Sequence, residues 1–463
     1  MLLVLCSSIA TSRSFVVPSK SRTHLNHRRL VVSTALKKND EATLLGFPRD
    51  TVAKPLGLLL ASQFLLFIGV GAVIPSIPLY GKEIGLSSAA NGIVISAPAV
   101  ALLLGAKMGG NFADVARKPA MLVGMAAIAV SDVGTSLANS LPTLIVARLG
   151  LGAGRCVSEA GERGMLADLA GQAPELRGRA LAAQQVVAAL GIAIGAPLGG
   201  IIVEEYGPRA SFLCVSAAAL VTFVVYLFLP ETIGSSTGDA SDEAAVTSQG
   251  DWTRLLSIKQ WRGLALCQCG ASFGFAAKIA SIPVLAREIL PGGAVGAGAL
   301  VSAAGLSGII GAPIGGWLAD QTSAKSTAIL SGIVSATGLM LIPFALSLEN
   351  DSVSFLGMDG QATAFCAVVI LWSLGASAQG PALTALAQEL APAGAKATAM
   401  ALPRATGDGT YIVAPFVLGV ITDSLLPSGA ECAFAGAATL VGVSALALLS
   451  GDSNLDPNLS ADN

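Results

Sequence analysis

The chain has 463 residues, of which 53% are hydrophobic and 12% are charged, whereas about a quarter of the residues of an ordinary soluble domain are charged. So few charged residues could not cover the core of a soluble protein of this size. A formal net charge of −2 offers no basic surface for a nucleic acid. Composition therefore excludes a soluble enzyme, a nucleic-acid-binding protein and a disordered chain. It indicates a polytopic membrane protein, and the 53 glycines suit helices that pack closely in lipid.

Two residue types limit the chemistry still available. The two histidines, His24 and His27, lie in an N-terminal stretch that we expect to be removed. The rest of the chain then offers neither a Ser-His nucleophile nor an imidazole ligand for zinc or haem. We interpret the seven cysteines, most of them in apolar runs, as small buried hydrophobic residues. We therefore expect no enzyme activity, no metal site and no cofactor beside a proton gradient.

The first 39 residues differ in composition from the rest of the chain. They contain seven lysines and arginines and many serines and threonines, and no acidic residue precedes Asp40. This composition predicts an organelle transit peptide. The segment 11–18, which contains Phe15, resembles the junction of two-part plastid leaders in algae with secondary plastids. The alternative is a disordered cytosolic tail, and residues 1–50 are assigned to this targeting or disordered segment.

Apolar stretches of spanning length follow one another from Pro55 onward. Each is close to the roughly 20 residues that a bilayer core requires. We predict twelve spans, at residues 56–80, 89–109, 119–139, 142–166, 181–203, 210–229, 263–285, 295–318, 326–347, 362–386, 398–425 and 430–450. A polar loop at 231–262 separates two six-helix bundles, 55–230 and 263–450, and a tail follows at 451–463. The predicted fold is therefore an all-α membrane protein with two pseudo-symmetric six-helix bundles.

Charge bias and an internal repeat support this division. Lysines and arginines concentrate in the even-numbered connections, which by the positive-inside rule places both termini in the cytosol or stroma. The segment 105–114 (GAKMGGNFAD) matches 311–320 (GAPIGGWLAD) at six of ten positions. Ala196-Pro197 and Ala414-Pro415 form a second pair, offset by 218 residues. Duplicated helical halves are typical of secondary transporters, whose substrate site lies near the midplane.

Three motifs resemble the major facilitator superfamily, over residues 55–450. The first span contains GAVIPSIPLY at 71–80, similar to the drug:proton antiporter-like branch. GNFADVARKP at 110–119 is similar to the family's signature loop, and the sixth span ends in LPET at 229–232. The resemblance implies alternating access between the two halves.

The same resemblance implies a gating loop. Its residues are Gly110, Asp114, Arg117 and Lys118, with Asp320 in the second half. The glycine lets two helices touch, and Asp114 can accept hydrogen bonds from a helix N-terminus and a nearby arginine, which would hold one access state shut. The alternative is a charged turn that only fixes topology.

The fifth span contains GIAIGAPLGG at 191–200, which is similar to the family's antiporter motif. Gly191, Gly195, Pro197 and Gly199 predict a kink in a glycine-lined helix face. The alternative is that these residues serve helix packing alone.

The fourth span carries most of the buried charge. At 100° per residue, Arg148, Arg155, Glu159 and Glu162 fall within an arc of about 80°. The opposite side carries Gly150, Gly154, Val157 and Gly161. We expect the small face to pack on a neighbour and the charged face to meet water, because an ionisable group that faces lipid costs several kcal/mol.

These four charged residues are the candidates for substrate binding and proton coupling. Glu159 is the first choice for the coupling carboxylate, with Arg148 and Arg155 as its positive partners. Glu162, closer to the cytosolic mouth, is expected to be better hydrated. The alternative is a neutral strut formed by Arg155 and Glu159 at i,i+4.

Other charges within the spans are weaker candidates. Arg404 and Asp408, also at i,i+4, predict a neutralising pair in the eleventh span. Lys278 either snorkels to the interface or lines the cavity, and Asp132 is expected to reach the outer interface. The sequon at 350–352 matters only if the chain follows the secretory route.

The predicted function is secondary active transport of a small organic solute by proton-coupled antiport. No GxxxxGK[ST] loop is present, so ATP-driven transport by this chain is excluded. The alternatives are an uncoupled uniporter and a non-transporting receptor or scaffold on the same fold. The expected partners are the solute and the bilayer, without nucleic acid or ATP, and we expect a monomer. The expected location is the plastid envelope or another organelle membrane, with the plasma membrane or an endomembrane as alternatives.

Overall fold

A computed structural model describes residues 43–44, 47–172, 177–232, 255–348, 358–391, 396–424 and 426–449. The predicted leader at 1–40, the sequon, most of the central polar loop and the predicted tail lie outside these residues. In the N-terminal unit, which ends at Arg49, strand β1 (Thr43–Leu44) pairs antiparallel with β2 (Phe47–Pro48). A π-helical turn, Arg49–Ala53, follows.

Twelve long helices form the described part of the unit from Asp50 onward. The first half contains α1 (Lys54–Glu83), α2 (Ser88–Val115), α3 (Arg117–Leu137), α4 (Leu141–Gly171), α5 (Arg177–Tyr206) and α6 (Pro208–Leu227). The second half contains α7 (Lys259–Ala280), α8 (Ala294–Gln321), α9 (Ala324–Met340), α10 (Gly360–Leu390), α11 (Lys396–Thr422) and α12 (Ala430–Leu449). Each predicted span falls on one of these helices, which confirms the all-α fold.

Two of the helices are interrupted near the same end of the bundle. After α7 a short helix covers Ile282–Ile289, and after α9 another covers Ile342–Leu346. Each short helix has proline as its second residue, Pro283 and Pro343. Because proline lacks an N–H donor and its ring clashes with the preceding turn, it interrupts the hydrogen-bond ladder and separates the two helices.

The helix surfaces are those of a membrane protein. Among the described helices, eleven are long and apolar enough to cross a bilayer. The helix that falls short is α4, because its 31 residues include six charged ones. Large apolar side chains cover the outside of the bundle, such as Leu104 at 78%, Val130 at 72% and Leu448 at 81% exposure. Such a surface is stable only in contact with lipid.

The two halves repeat one packing scheme. In the first half α1 packs on α5 and α6, α3 packs on α4 and α6, and α2 packs on α4; the second half pairs α7, α8 and α9 in the same way. Gly109 approaches the Cys156 carbonyl of α4, and Gly315 approaches the Ala378 carbonyl of α10. The two glycines are 206 residues apart, as are the starts of the repeated segments at 105 and 311. The sequence repeat is therefore a structural repeat.

The halves meet through two helix pairs, α2 with α11 and α5 with α8. Gly92 packs on the Pro415 carbonyl, and Gly200 on the Ala294 carbonyl, without room for a side chain. These contacts lie near the N-termini of α2 and α8. We call this the outer end, where the odd-numbered connections lie, and the opposite end the inner end. Arg163 and Arg404, toward the inner end, are more than half exposed. The halves are thus closed at the outer end and separated toward the inner end.

The α1–α5 packing gives a first prediction. A Cβ atom on Gly195 would overlap the Ile68 carbonyl oxygen, whereas one on Gly305 of α8 would meet no atom within 4 Å. We expect Gly195→Ala to lower the free energy of unfolding by about 1–3 kcal/mol, the usual cost of overpacking. Thermal unfolding of the purified protein in detergent measures this loss.

Gly305→Ala is the matched control, because it places the same side chain in a helix where there is space. It should leave the melting temperature unchanged or raise it slightly through helix propensity. Equal melting temperatures for the two variants would contradict close packing at Gly195.

Candidate functional site

The polar residues of α4 lie in three separate environments. The predicted small face is confirmed, because Gly154 and Gly161 pack on α3, at Gly124 and Met121. The charged face, however, does not meet water as a whole. Arg148 and Glu162 are each only 6% exposed, so the prediction of a continuous hydrated face is wrong for these two residues. The reason is that α1 and α3 pack along α4 and cover parts of its charged side.

Glu159 lies between two arginines on the exposed part of α4. Arg155 donates from Nε and Nη2 to Glu159 Oε1 at 2.9 and 2.6 Å, and Arg163 Nη2 donates to Oε2 at 2.7 Å. The side chains of Arg155, Glu159 and Arg163 are 47%, 26% and 53% exposed. The i,i+4 pair expected as an alternative is therefore present. Sequence reasoning missed Arg163, although it has the same spacing from Glu159 on the other side.

Arg148 pairs with Asp132, the acid that the sequence analysis placed at the outer interface. Its Nη1 atom lies 3.8 Å from Asp132 Oδ1, and both side chains are almost fully buried. The expectation that Asp132 reaches the outer interface is wrong, because close packing of α3 on α4 turns this residue toward Arg148. Within the described residues, Arg148 Nε and Nη1 and Asp132 Oδ2 have no hydrogen-bond partner. This pair is electrostatically strong in a low-dielectric interior but incompletely bonded.

Glu162 is buried inside the first half, between α1 and α4. Gln63 Nε2 donates to its Oε2 at 3.1 Å, and Ser158 Oγ donates to its Oε1 at 2.6 Å. The expectation that Glu162 is better hydrated than Glu159 is wrong, since Glu159 is the more exposed of the two. The cause is the packing of α1 over this turn of α4.

The second half supplies an opposing set of residues. Arg404 Nε lies 3.9 Å from Asp408 Oδ2, with both side chains more than half exposed, so the predicted pair on α11 is confirmed. Tyr411, one turn further along α11, has its ring 5.5 Å from that of Phe275 on α7. Lys278 follows Phe275 by one turn in the last part of α7.

In the segment predicted to be a gating loop, the structure confirms the contact of Asp114 with a nearby arginine. Arg117 Nη1 donates to Asp114 Oδ1 at 2.7 Å, and Arg117 Nε also lies 3.4 Å from Asp168 Oδ2. The N-terminus of α3 is not capped by Asp114. Instead, the backbone N–H groups of Arg117 and Lys118 donate to Glu231 at 3.2 and 3.0 Å. Glu231, four residues after the end of α6, was within the recognised LPET ending, but its contact with α3 could not be inferred from chain order.

The close helix contact predicted for Gly110 is made by the preceding residue, Gly109. A side chain at Gly110 would meet open space, whereas Gly109 contacts Cys156 on α4. One residue is a rotation of about 100° on a helix, which carries Gly110 away from α4. Asp320, its counterpart in the second half, is exposed at the end of α8.

The glycines of α5 form a packing stripe. Gly191, Gly195 and Gly199 recur every four residues and lie against α1, at Phe64, Ile68 and Ala72. The helix continues through Pro197 to Tyr206. The structure thus accounts for the glycines by packing, the alternative reading of this motif.

Two carboxylates join the halves at the outer end. Asp423, directly after α11, accepts from the backbone N–H groups of Ser88 and Ala89 at the start of α2, at 2.9 and 2.8 Å. Glu204, in the last turn of α5, accepts from Ala294 N at the start of α8, at 3.3 Å. We call these two contacts the outer caps. In each, a carboxylate at the end of a helix in one half caps a helix of the other half.

Sequence reasoning missed the outer caps, although a signal was available. An acidic residue at the C-terminus of a helix is unfavourable with the dipole of its own helix. Asp423 and Glu204 both occupy such positions, which points to a positive partner outside their own helix. Lys82 Nζ and Glu288 Oε1, 3.0 Å apart, add an exposed ion pair between the halves at the same end.

Asp423 is held in its charged form. Burial raises the pKa of this carboxyl, but hydrogen bonds from the backbone N–H groups of Ala89 and Ser88 lower it. The hydrogen bonds together outweigh burial, so the pKa lies below its usual value. The outer cap on α2 is therefore an ionised carboxylate at neutral pH.

Cysteine and metal chemistry add nothing to this site. Cys156, Cys267 and Cys432 are buried, Cys269 and Cys366 are partly buried, and Cys214 is exposed on α6. Within the ranges given above, no three His, Cys, Asp or Glu side chains are grouped so that they could hold a metal ion.

Comparison with known proteins matches most of the chain to a family profile and a smaller part of it to individual relatives. The sequence profile of the Major Facilitator Superfamily matches residues 59–415 and 264–460. Quinolone resistance protein NorA of Staphylococcus aureus is 25% identical over 179 residues, 38% of this chain. Multidrug resistance protein 1 of Bacillus subtilis is 26% identical over 177 residues. The match spans 45%, about half, of the length of each of these relatives.

Solved structures share the fold at low sequence identity. A mutant form of the nucleoside transporter NupG superposes with a TM-score of 0.72 at 11% identity, over 86% of this chain and 100% of its own. A bacterial homologue of the human lysosomal transporter Spinster, in an inward-facing and unoccupied conformation, gives 0.67 at 14% identity, over 86% and 95%. These similarities concern the fold.

The outer caps give a second prediction. Removing a carboxylate cap costs about 1 kcal/mol, so Asp423→Ala should increase the population that is open at the outer end about fivefold. Spin labels at Glu83 and Arg287, exposed outer-end residues of the two halves, report this by electron–electron distance measurement in a cysteine-free background. We expect a longer distance to gain weight. Glu205→Ala, which removes an exposed acid beside Glu204, is the control and should leave the distribution unchanged.

The same labels test the pH dependence of the cap on α2. Because the pKa of Asp423 is depressed, the carboxylate stabilises the closed outer end fully above the ordinary aspartate pKa of 3.8. This stabilisation is lost as the pH falls through the depressed pKa of Asp423. Acidification below about pH 4 should therefore lengthen the distance in the native chain and have less effect in Asp423→Ala. An equal response of both proteins would show that Asp423 does not carry this dependence.

Proposed function

Because the chain belongs to the Major Facilitator Superfamily, we propose that it is a secondary active transporter that exchanges a small organic solute for protons across an organelle membrane. The proposal extends the family assignment in three respects: coupling to protons, the direction of exchange and the membrane concerned. The composition of residues 1–39 supports the organelle. Similarity to NorA and to multidrug resistance protein 1, which are named for resistance to organic compounds, supports an organic solute, and the resemblance of residues 71–80 to the drug:proton antiporter-like branch supports antiport.

The paired halves support alternating access. The described contacts between the halves concentrate at the outer end, while Arg155, Glu159 and Arg163 are exposed toward the inner end. A carrier that opens one side at a time requires a state that is closed at the outer end and a second state that is closed at the inner end. A receptor or scaffold on the same fold would have no need for charged residues in its membrane interior, where they are costly.

The observation that carries proton coupling is the pair of Asp132 and Arg148. Both side chains are buried and 3.8 Å apart, and three of their polar atoms lack partners. Protonation of Asp132 would release the Arg148 guanidinium from its partner, so proton binding would change the charge distribution inside the first half. Glu159, the first choice from sequence, is held by two arginines, which favour the carboxylate form. We therefore place Asp132 ahead of Glu159 as the coupling acid.

The solutes named for the relatives differ from one another. NorA is named for quinolones and NupG for nucleosides. A shared fold fixes the transport mechanism more than the ligand, so these names do not decide between solutes for this chain. The uncoupled uniporter remains the second candidate in the same class.

Proton coupling is tested without knowledge of the solute. In the doubly labelled protein at Glu83 and Arg287, a change from pH 8 to pH 5 should shift the outer-end distance distribution, because proton binding is linked to the access state. Asp132→Asn keeps the size of the side chain and removes its titration, and it should abolish the shift. The range from pH 8 to pH 5 lies above the pH at which Asp423 is protonated, so the outer cap on α2 does not contribute to this shift.

Glu159→Gln, Glu162→Gln and Asp408→Asn are the comparison variants. If Asp132→Asn responds to pH like the native chain and Glu159→Gln does not, Glu159 is the coupling acid. If the native chain itself shows no response between pH 8 and pH 5, proton coupling fails and the uniporter is the better interpretation.

A further inference from the structure

The exposed charged side chains of α4 and α11 include more positive than negative groups. Arg148 with Asp132, and Arg404 with Asp408, are one-to-one pairs. By contrast, the exposed part of α4 carries Arg155 and Arg163 with only Glu159 between them, because Glu162 is buried and accepts hydrogen bonds from Gln63 and Ser158. A positive field attracts anions into a cleft with low-dielectric walls.

Lys278 adds a further cation from the other half. It lies three residues after Phe275, whose ring contacts Tyr411 of α11, and four residues after Gly274, which faces Trp372 of α10. Residues at these spacings share one side of a helix, so Lys278 projects between α10 and α11 rather than toward lipid.

The next residues locate Lys278 at the junction of the halves. Ile279 and Ala280 pack against a hydrophobic cluster of the first half that includes Val73 and Ile77. The side chain of Lys278 is therefore near the place where α7 meets the first half.

The ammonium group of Lys278 has no partner in the part of the chain that the structure describes. No hydrogen bond or ion pair reaches its Nζ atom there, and the atom is not sealed in the packed interior. An unpaired cation within a membrane protein is expensive and commonly marks a ligand path. Lysine presents a compact point charge with three donors, which suits a carboxylate or a similar anion.

An aromatic surface accompanies this charge. Phe275 is 52% exposed, and its ring lies against Tyr411, which also packs on the hydrophobic clusters of both halves. Aromatic faces next to a single cation suit a solute with an apolar, planar body and one anionic group.

We propose that the solute is an organic anion, an aromatic carboxylate in its simplest form. Lys278 binds its anionic group, and Phe275 with Tyr411 contacts its body. The positive cluster of Arg155, Glu159 and Arg163 attracts it toward the exposed part of α4. This inference rests on the proposed transport function and names the substrate class of that function.

The test is ligand binding to the full chain in detergent, with probes that differ only in charge. 2-Naphthoate, 2-naphthamide and 2-naphthylmethylamine carry the same rings with an anionic, a neutral and a cationic group. Binding to the folded state raises the melting temperature. We expect 2-naphthoate to bind at least about tenfold more tightly than the other two probes. A preference for the amine, or equal affinity for all three probes, would overturn the inference.

Variants separate recognition from general packing. Lys278→Met should lose the preference for 2-naphthoate, and Lys278→Arg should keep it. Arg287→Gln removes an exposed cation of the short helix Ile282–Ile289 and should leave the preference for 2-naphthoate unchanged. If Lys278→Met folds, as judged by its melting temperature without ligand, and still prefers 2-naphthoate, Lys278 is not the binding group. If Lys278→Met does not fold, the comparison of Lys278→Arg with Lys278→Gln decides the same point.

Failure of this inference is distinguishable from failure of the proposed function. If the outer-end distance responds to pH but 2-naphthoate does not bind, the transport function is retained and the substrate class is wrong. If 2-naphthoate binds with the expected preference but the distance responds neither to pH nor to the ligand, the ligand class is retained and the receptor alternative replaces transport.

Discussion

A charged side chain within a bilayer must find either a partner or water, and α4 depends on this constraint more than any other described helix. It satisfies the constraint in different ways along its length. Arg148 reaches Asp132 in the interior, Glu162 takes two neutral donors, and Glu159 is exposed between arginines. The first two solutions require α1 and α3 to lie close to α4. The third requires a polar space between the halves.

Close helix packing makes the buried pairs possible, and glycine provides it. Gly124 and Gly154 let α3 and α4 approach until their backbones touch, which brings Asp132 against Arg148. Close backbone packing at glycine also joins the two halves, at Gly92 and Gly200. Small residues therefore serve two purposes in this fold. They hold each half together, and they form a contact between the halves that opens in the proposed transport mechanism.

The sequence predicts each of these features to a different degree. Length and hydropathy locate eleven of the twelve long helices that the structure describes, because the bilayer imposes one length and one composition on each, whereas the six charged residues of α4 weaken its signal. The i,i+4 pairs of Arg155 with Glu159 and of Arg404 with Asp408 follow from spacing within one helix. The pair of Asp132 and Arg148 does not, since it depends on how two helices are rotated about their axes. The outer caps likewise join distant residues, Ser88 to Asp423 at a separation of 335 positions and Ala294 to Glu204 at 90, which no local pattern reveals.

The proposed sites lie on different halves, and this determines how they can be coupled. Asp132 and Arg148 belong to the first half, whereas Lys278 belongs to the second. An anion bound at Lys278 leaves the Asp132 pair intact, so solute and proton do not compete for a single group. Each can influence the other only through the access state that both prefer, which is the reciprocal linkage expected between separate sites. The contact between the halves is therefore the element that both ligands must bias. Because the outer caps contribute only a small stabilisation, modest differences in ligand affinity suffice to shift it.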